Sequence, residues 1–128
     1  VLAKAGITKG AFFYHFKSKA DLARALVERY ASQDAAHLEG HLKRAEKLSR
    51  DPLQQVLILI GLFQEEVELL TDASAGCLIA SYVYQFEELD LDIRQISART
   101  ILNWRERLGA KFEEVMVKYP PRLPVRAQ

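Results

Sequence analysis

Ala5-Gly6-Ile7-Thr8-Lys9-Gly10-Ala11-Phe12-Phe13-Tyr14-His15-Phe16-Lys17-Ser18-Lys19 is the stretch that decides the fold. Gly6 follows the short apolar segment Val1-Leu2-Ala3-Lys4-Ala5. A glycine there takes the left-handed backbone that ends one helix and turns toward the next. Thr8 is an N-cap type, its hydroxyl placed to accept from an amide one turn on. Phe12 and Phe16 fall at i, i+4 and share one face, with Tyr14 expected beside them in a small core, while Lys9, Phe13 and His15 point elsewhere. Two short helices joined by a tight turn containing Gly form the helix-turn-helix plan, whose second helix enters the DNA major groove. The first helix is expected to end at residue 6 and the recognition helix to cover 8–15.

The run from Ala5 to Lys19, followed by Asp21-Leu22 and the helix they open, resembles the TetR family of bacterial transcriptional regulators. The motif covers only the start of the chain. An all-helical remainder agrees with that family, whose second domain varies widely. The resemblance implies that Thr8, Lys9, Gly10 and Ala11 open the recognition helix and meet base edges and nearby phosphates. The family usually has Tyr at position 13, whose hydroxyl touches a phosphate; Phe13 has no hydroxyl for that contact. His15 and Lys19 match phosphate-contacting positions. Phosphate contacts fix register, whereas groups at base edges set sequence preference; Lys9 has the chemistry to donate to guanine O6 or N7. The resemblance further implies a double-stranded DNA operator, a homodimer, a cytoplasmic location, and a repressor released by a small-molecule effector held in the second domain. The family carries one more helix before Val1 and one more after the last helix here, so the sequence is read as lacking both.

Composition agrees with one or two small helical domains. The chain has 128 residues, 49% of them hydrophobic, enough to bury a core without disulfides or metal. A lone Cys77 excludes an internal disulfide framework. The longest apolar run, Val56 to Phe63, is too short to span a bilayer, and nothing resembles a secretory signal. Net charge is +1, unevenly spread. Residues 1–24 hold five bases (Lys4, Lys9, Lys17, Lys19, Arg24) against one acid, Asp21. Residues 51–92 hold nine acids and no Lys or Arg, and residues 93–128 hold eight bases against three acids. A basic reading motif on a more acidic body attracts phosphate at one end and discourages wrapping elsewhere.

From Lys19 the pattern becomes a long amphipathic helix, with Leu22, Leu26, Tyr30, Leu38, Leu42 and Ala45 as its stripe. It joins a partial helix-turn-helix domain (1–47) to a helical regulatory domain for ligand binding and dimerisation (48–128). Asp51 reads as an N-cap and Pro52 as the first helical residue. The helix that follows is apolar on nearly all sides, which places it in the middle of a bundle. Residues 71–76 read as a loop and Cys77 to Glu88 as a further helix. A final long helix over 92–118 has Ile93, Ile96, Ile101, Trp104, Leu108, Phe112 and Val115 as its stripe, with Arg94, Arg99, Arg105 and Lys111 off it. Tyr119-Pro120-Pro121 stops it. No strand signal survives, so the fold class is all-α.

In the body, Phe63, Tyr82, Tyr84, Gln85, Phe86, Trp104 and Phe112 have the aromatic and polar makeup of an effector cavity. Plain core is the competing reading of each. Cys77 opens a helix, where the dipole lowers a thiol pKa, so it joins the candidates as a sensor of electrophiles; a buried small hydrophobe is the alternative. Asp34, His37 and His41 lie at i, i+3 and i+7, roughly one face. The metalloprotease pattern needs Glu directly after the first His, where Leu38 stands. With no Cys or further carboxylate in the spacing, the three read as polar residues on a wet face, and neither metal nor cofactor is expected. No Ser-His-Asp set, phosphate-cradling Gly loop or paired acid and base points to an enzyme. A helical ligand-binding or interaction module without DNA binding is the rival class.

Overall fold

The computed structural model describes residues 2–69 and 91–123. Among them run five helices and no strand: α1 (Leu2–Ala5), α2 (Lys9–His15), α3 (Lys19–Leu48), α4 (Pro52–Leu69) and α5 (Leu91–Lys118). The expected helix over 77–88 lies outside the described residues. No helix among the described residues is long and apolar enough to cross a membrane.

Local chemistry sets each boundary. Gly6 turns the chain after α1 at φ +66°, the only positive φ among the described residues. Thr8 Oγ1 accepts from the Ala11 amide at 3.1 Å and so caps α2. Phe16 leaves the helix, its amide still donating to the Phe12 carbonyl at 2.9 Å. Ser18 then caps α3 by accepting from the Asp21 amide at 3.1 Å, and the Asp21 carboxylate accepts from the Lys17 amide at 3.1 Å. This reciprocal arrangement is close to a capping box, and it fixes the angle between α2 and α3. Asp51 caps α4 through the Gln54 amide at 3.0 Å, with Pro52 at the first helical position as expected.

The three long helices pack on one another. α3, with 30 residues, is roughly 45 Å long and touches α5 at both ends. Near its start, Val27 packs with Ile93 and Ile96; further on, Leu38 and Leu42 pack with Leu59 of α4, under Phe63, Trp104 and Leu108. Low residues of α3 thus meet low residues of α5, so these two run parallel. Contacts of His37 and His41 with Glu66 near the end of α4, and of Lys111 with Gln55 near its start, make α4 antiparallel to both.

The packing corrects four sequence expectations. Val27, at 0% exposure, takes the core position near the start of α3, and Leu26 is 50% exposed, because the helical stripe must turn toward Ile93 and Ile96. α4 is not wrapped on all sides: Val56, Leu59 and Leu62 are buried, whereas Leu57 and Ile60 on the opposite side are more than half exposed. On α5, Ile101 and Phe112 are half exposed, and Lys111 lies inside the packing rather than off the stripe. Tyr14 does not join the small core; it is 85% exposed.

Candidate nucleic-acid interface

α2 has only seven residues, and one side chain anchors it. Phe12 is buried, with the Phe16 ring 5.7 Å away and the Phe13 ring edge-on at 5.2 Å. Everything else on the helix is left outward. Thr8, Lys9, Gly10, Ala11, Phe13, His15 and Lys19, the residues assigned to DNA from the sequence, are all exposed. The first four form the N-cap and opening turn of α2, and Lys19 opens α3. The Lys9 ammonium lies 6.0 Å from the centre of the Phe13 ring, at the outer reach of a cation–π contact. Tyr14 and His15 meet edge to face at 4.9 Å.

The nearest acid is neutralised locally. Asp21 pairs with Arg24 at 3.1 Å, and Arg24 also reaches Asp92 at the start of α5 at 3.2 Å. The hydrogen bond to Asp92, then that to Asp21, raises the Arg24 pKa. Lys4, Lys9, Lys17 and Lys19 are left exposed around a surface with no other carboxylate between residues 1 and 27. Such a surface attracts a polyanion at long range.

The candidate effector residues divide. Phe63 and Trp104 stack obliquely at 5.4 Å against the Leu38–Leu42–Leu59 cluster. Phe112 is half exposed and is not part of that cluster. Cys77, Tyr82, Tyr84, Gln85 and Phe86 lie outside the described residues. The polar face of α3 also divides. Asp34 Oδ2 accepts from the Trp104 indole N–H at 2.5 Å, which satisfies a donor inside the apolar layer. His37 and His41 instead turn toward Glu66 of α4, 2.8 Å and 2.9 Å from its two oxygens. Nothing in the sequence distinguished Glu66 from its neighbours Glu65 and Glu68. A second polar centre was also missed: the Lys111 ammonium reaches Glu46 at 3.0 Å, Gln55 at 2.9 Å and Glu114 at 2.9 Å.

A capped, outward-facing short helix after a glycine turn, feeding a long helix into a bundle, defines a helix-turn-helix DNA-reading module. Comparison with known proteins makes the class specific. Residues 1–26 match the family described as bacterial regulatory proteins, tetR family. The transcriptional regulator AcuR of Cereibacter sphaeroides is 27% identical over 119 residues, which is 89% of this chain and 50% of that protein. The chain therefore spans about half the length of the curated relative it matches. No solved structure matches. The start of the chain is thus similar to the tetR family of bacterial regulatory proteins, and most of its length is similar to a transcriptional regulator.

Proposed function

We propose that this chain is part of a TetR-type regulator that reads a two-fold-symmetric operator as a homodimer. In this reading Thr8, Lys9, Gly10 and Ala11 of α2 enter the major groove, with His15 and Lys19 on the flanking phosphates. The observation that carries it is the outward placement of all these residues around one buried anchor, Phe12, beside exposed lysines. Phe13 adds apolar contact rather than a hydroxyl bond to phosphate.

The protein is a cytoplasmic repressor relieved by a small ligand, and it is a binding protein rather than an enzyme. Phe63 and Trp104 are the described residues that offer apolar walls to such a ligand. Ligand binding favours a dimer geometry in which the recognition helices no longer match adjacent major grooves. Those grooves lie about 34 Å apart along the helix axis.

A footprint on the DNA upstream of the protein's own gene, at low and moderate salt, tests the reading. A protected two-fold site is expected. Protection that is independent of sequence and lost with salt would reduce α2 to a basic patch. A folded protein with no protection at all would favour a helical ligand-binding module instead.

A further inference from the structure

We infer that His37, His41 and Glu66 form a binding site for a transition-metal dication of the zinc class. His37 and His41 are one helical turn apart on α3, so both rings lean over the same strip. Their centroids are 4.4 Å apart. Glu66 arrives from antiparallel α4, and its carboxylate spans the pair, with Oε2 2.8 Å from one Nε2 and Oε1 2.9 Å from the other. A carboxylate only accepts, so each Nε2–H donates, and both imidazoles turn the same nitrogen to one point.

The distances suit an ion. One donor atom from each of the three side chains lies within 4.8 Å of the others. Tetrahedral zinc with bonds of about 2.0–2.1 Å holds its ligand atoms roughly 3.4 Å apart. Small side-chain rotations bridge that difference, with an ion taking the place of the two Nε2 protons, each of which moves to its ring's Nδ1 or, from an imidazolium, to water. Two imidazoles and one carboxylate are a recurring zinc ligand set that leaves a fourth position open. Imidazole selects zinc, copper, nickel or iron over magnesium and calcium. Access fits as well: the His41 side chain is 14% exposed, whereas His37 and Glu66 are each more than two-fifths exposed. One wall is apolar, since the Phe63 ring meets His41 at 4.9 Å and His37 at 6.0 Å. Asp34, which sequence spacing had grouped with the histidines, is held by Trp104 instead. An ion here ties α3, the helix that continues from the reading motif, to α4. This gives the body a metal input that does not depend on how DNA is read.

The test uses the whole protein and Zn2+ alone, titrated by calorimetry after chelator treatment. Trp104, the single tryptophan, contacts Phe63 at 5.4 Å and reports Cu2+ or Co2+ by quenching. One ion per chain is expected. His41→Gln and Glu66→Gln should each weaken it by more than about 100-fold, with helical content by circular dichroism unchanged. Co2+ should give the intense visible bands of a low-symmetry, near-tetrahedral site. Failure of the wild type to bind Zn2+, or undiminished binding by a folded His37→Gln/His41→Gln variant, would overturn the site. Neither readout involves DNA, so the outcome stands apart from the operator reading.

Discussion

Lys111→Met is the perturbation that best examines the three-helix junction. The lysine is 7% exposed, and its ammonium joins Glu46 of α3, Gln55 of α4 and Glu114 of α5. Methionine keeps most of the stem and removes the charge. Glu46 and Glu114 are about half exposed, so once released they return to water at little cost. Gln55 is buried, and its Nε2 still donates to the Ser49 carbonyl at 2.8 Å, but its Oε1 is left without a donor. A buried acceptor left unpaired costs about 1–3 kcal/mol. Relief of the ammonium's desolvation acts in the opposite direction. The expected net loss is about 1–2 kcal/mol, a fall of about 0.5–1 M in the urea midpoint. Lys111→Ala also deletes stem methylenes at about 0.8 kcal/mol each, bringing the loss to about 3–4 kcal/mol. Burial pulls the Lys111 pKa down, but the hydrogen bonds and charges of Glu114 and Glu46 outweigh it, so it lies above the ordinary 10.5. A raised folded value means this stabilisation is complete below pH 10.5 and fades as pH climbs through the folded pKa. Wild type and Lys111→Met should therefore converge only in strong alkali. A methionine variant at least as stable as wild type at neutral pH would refute the reasoning. The polar junction would then be a net cost tolerated for specificity.

Three further outcomes are expected. Gly6→Ala meets no neighbour within 4 Å of the added Cβ, so its cost is the left-handed backbone alone, about 1–2 kcal/mol in thermal unfolding; a neutral result would mean that the turn relaxes. The Asp51 carboxyl is held far below its ordinary 3.8 by Lys118, then by the Tyr119 hydroxyl, then by the Gln54 amide. A depressed folded value means its stabilisation is present above pH 3.8 and drains away as pH falls through the folded pKa. The stability gap between wild type and Asp51→Asn should shrink in acid titrations below that point, and a constant gap would deny the linkage. Lys19→Ala should weaken DNA binding across all sequences and flatten the salt dependence by about one unit, and an unchanged slope in fluorescence titrations would remove Lys19 from the phosphate contacts.

What was legible in the sequence was whatever depends on near neighbours. Gly6, the Thr8 cap and the Asp51-Pro52 restart act within one turn of the chain, and each stands where expected. Phe12 as the anchor of α2 followed from the i, i+4 pairing with Phe16. What was not legible depends on which face a distant helix presents. Periodicity put Leu26 on the stripe, but packing against Ile93 and Ile96 gives that place to Val27. Lys111 looked like a surface residue because its partners lie on three different helices. The same is true of the histidine pair. Its spacing was visible, but the carboxylate that completes it comes from 25 and 29 residues away.

The cross-links between α3 and α5 bear on how a regulatory signal travels. Arg24–Asp92, Asp34–Trp104, Glu39–Arg107 and Glu46–Lys111 join residues 68, 70, 68 and 65 positions apart. Asp51 and Tyr119, 68 apart, repeat the spacing beyond the end of α3. The exposed pairs among them, Arg24–Asp92 and Glu39–Arg107, contribute little energy singly. Placed at a near-constant offset, however, they oppose sliding, since a shift of one turn would break all of them together. α3 and α5 are therefore coupled as one parallel unit. If the proposed regulation holds, a ligand or ion acting on the body would move the helix-turn-helix segment by turning this pair as a whole. The Lys17–Asp21 and Ser18–Asp21 hydrogen bonds tie the segment that follows α2 to the first turn of α3, and in that reading they would carry the motion to α2. On this account Asp21→Ala should uncouple effector from operator while leaving effector affinity intact. A variant in which the effector still releases DNA as it does from wild type would show that the signal reaches α2 by another route.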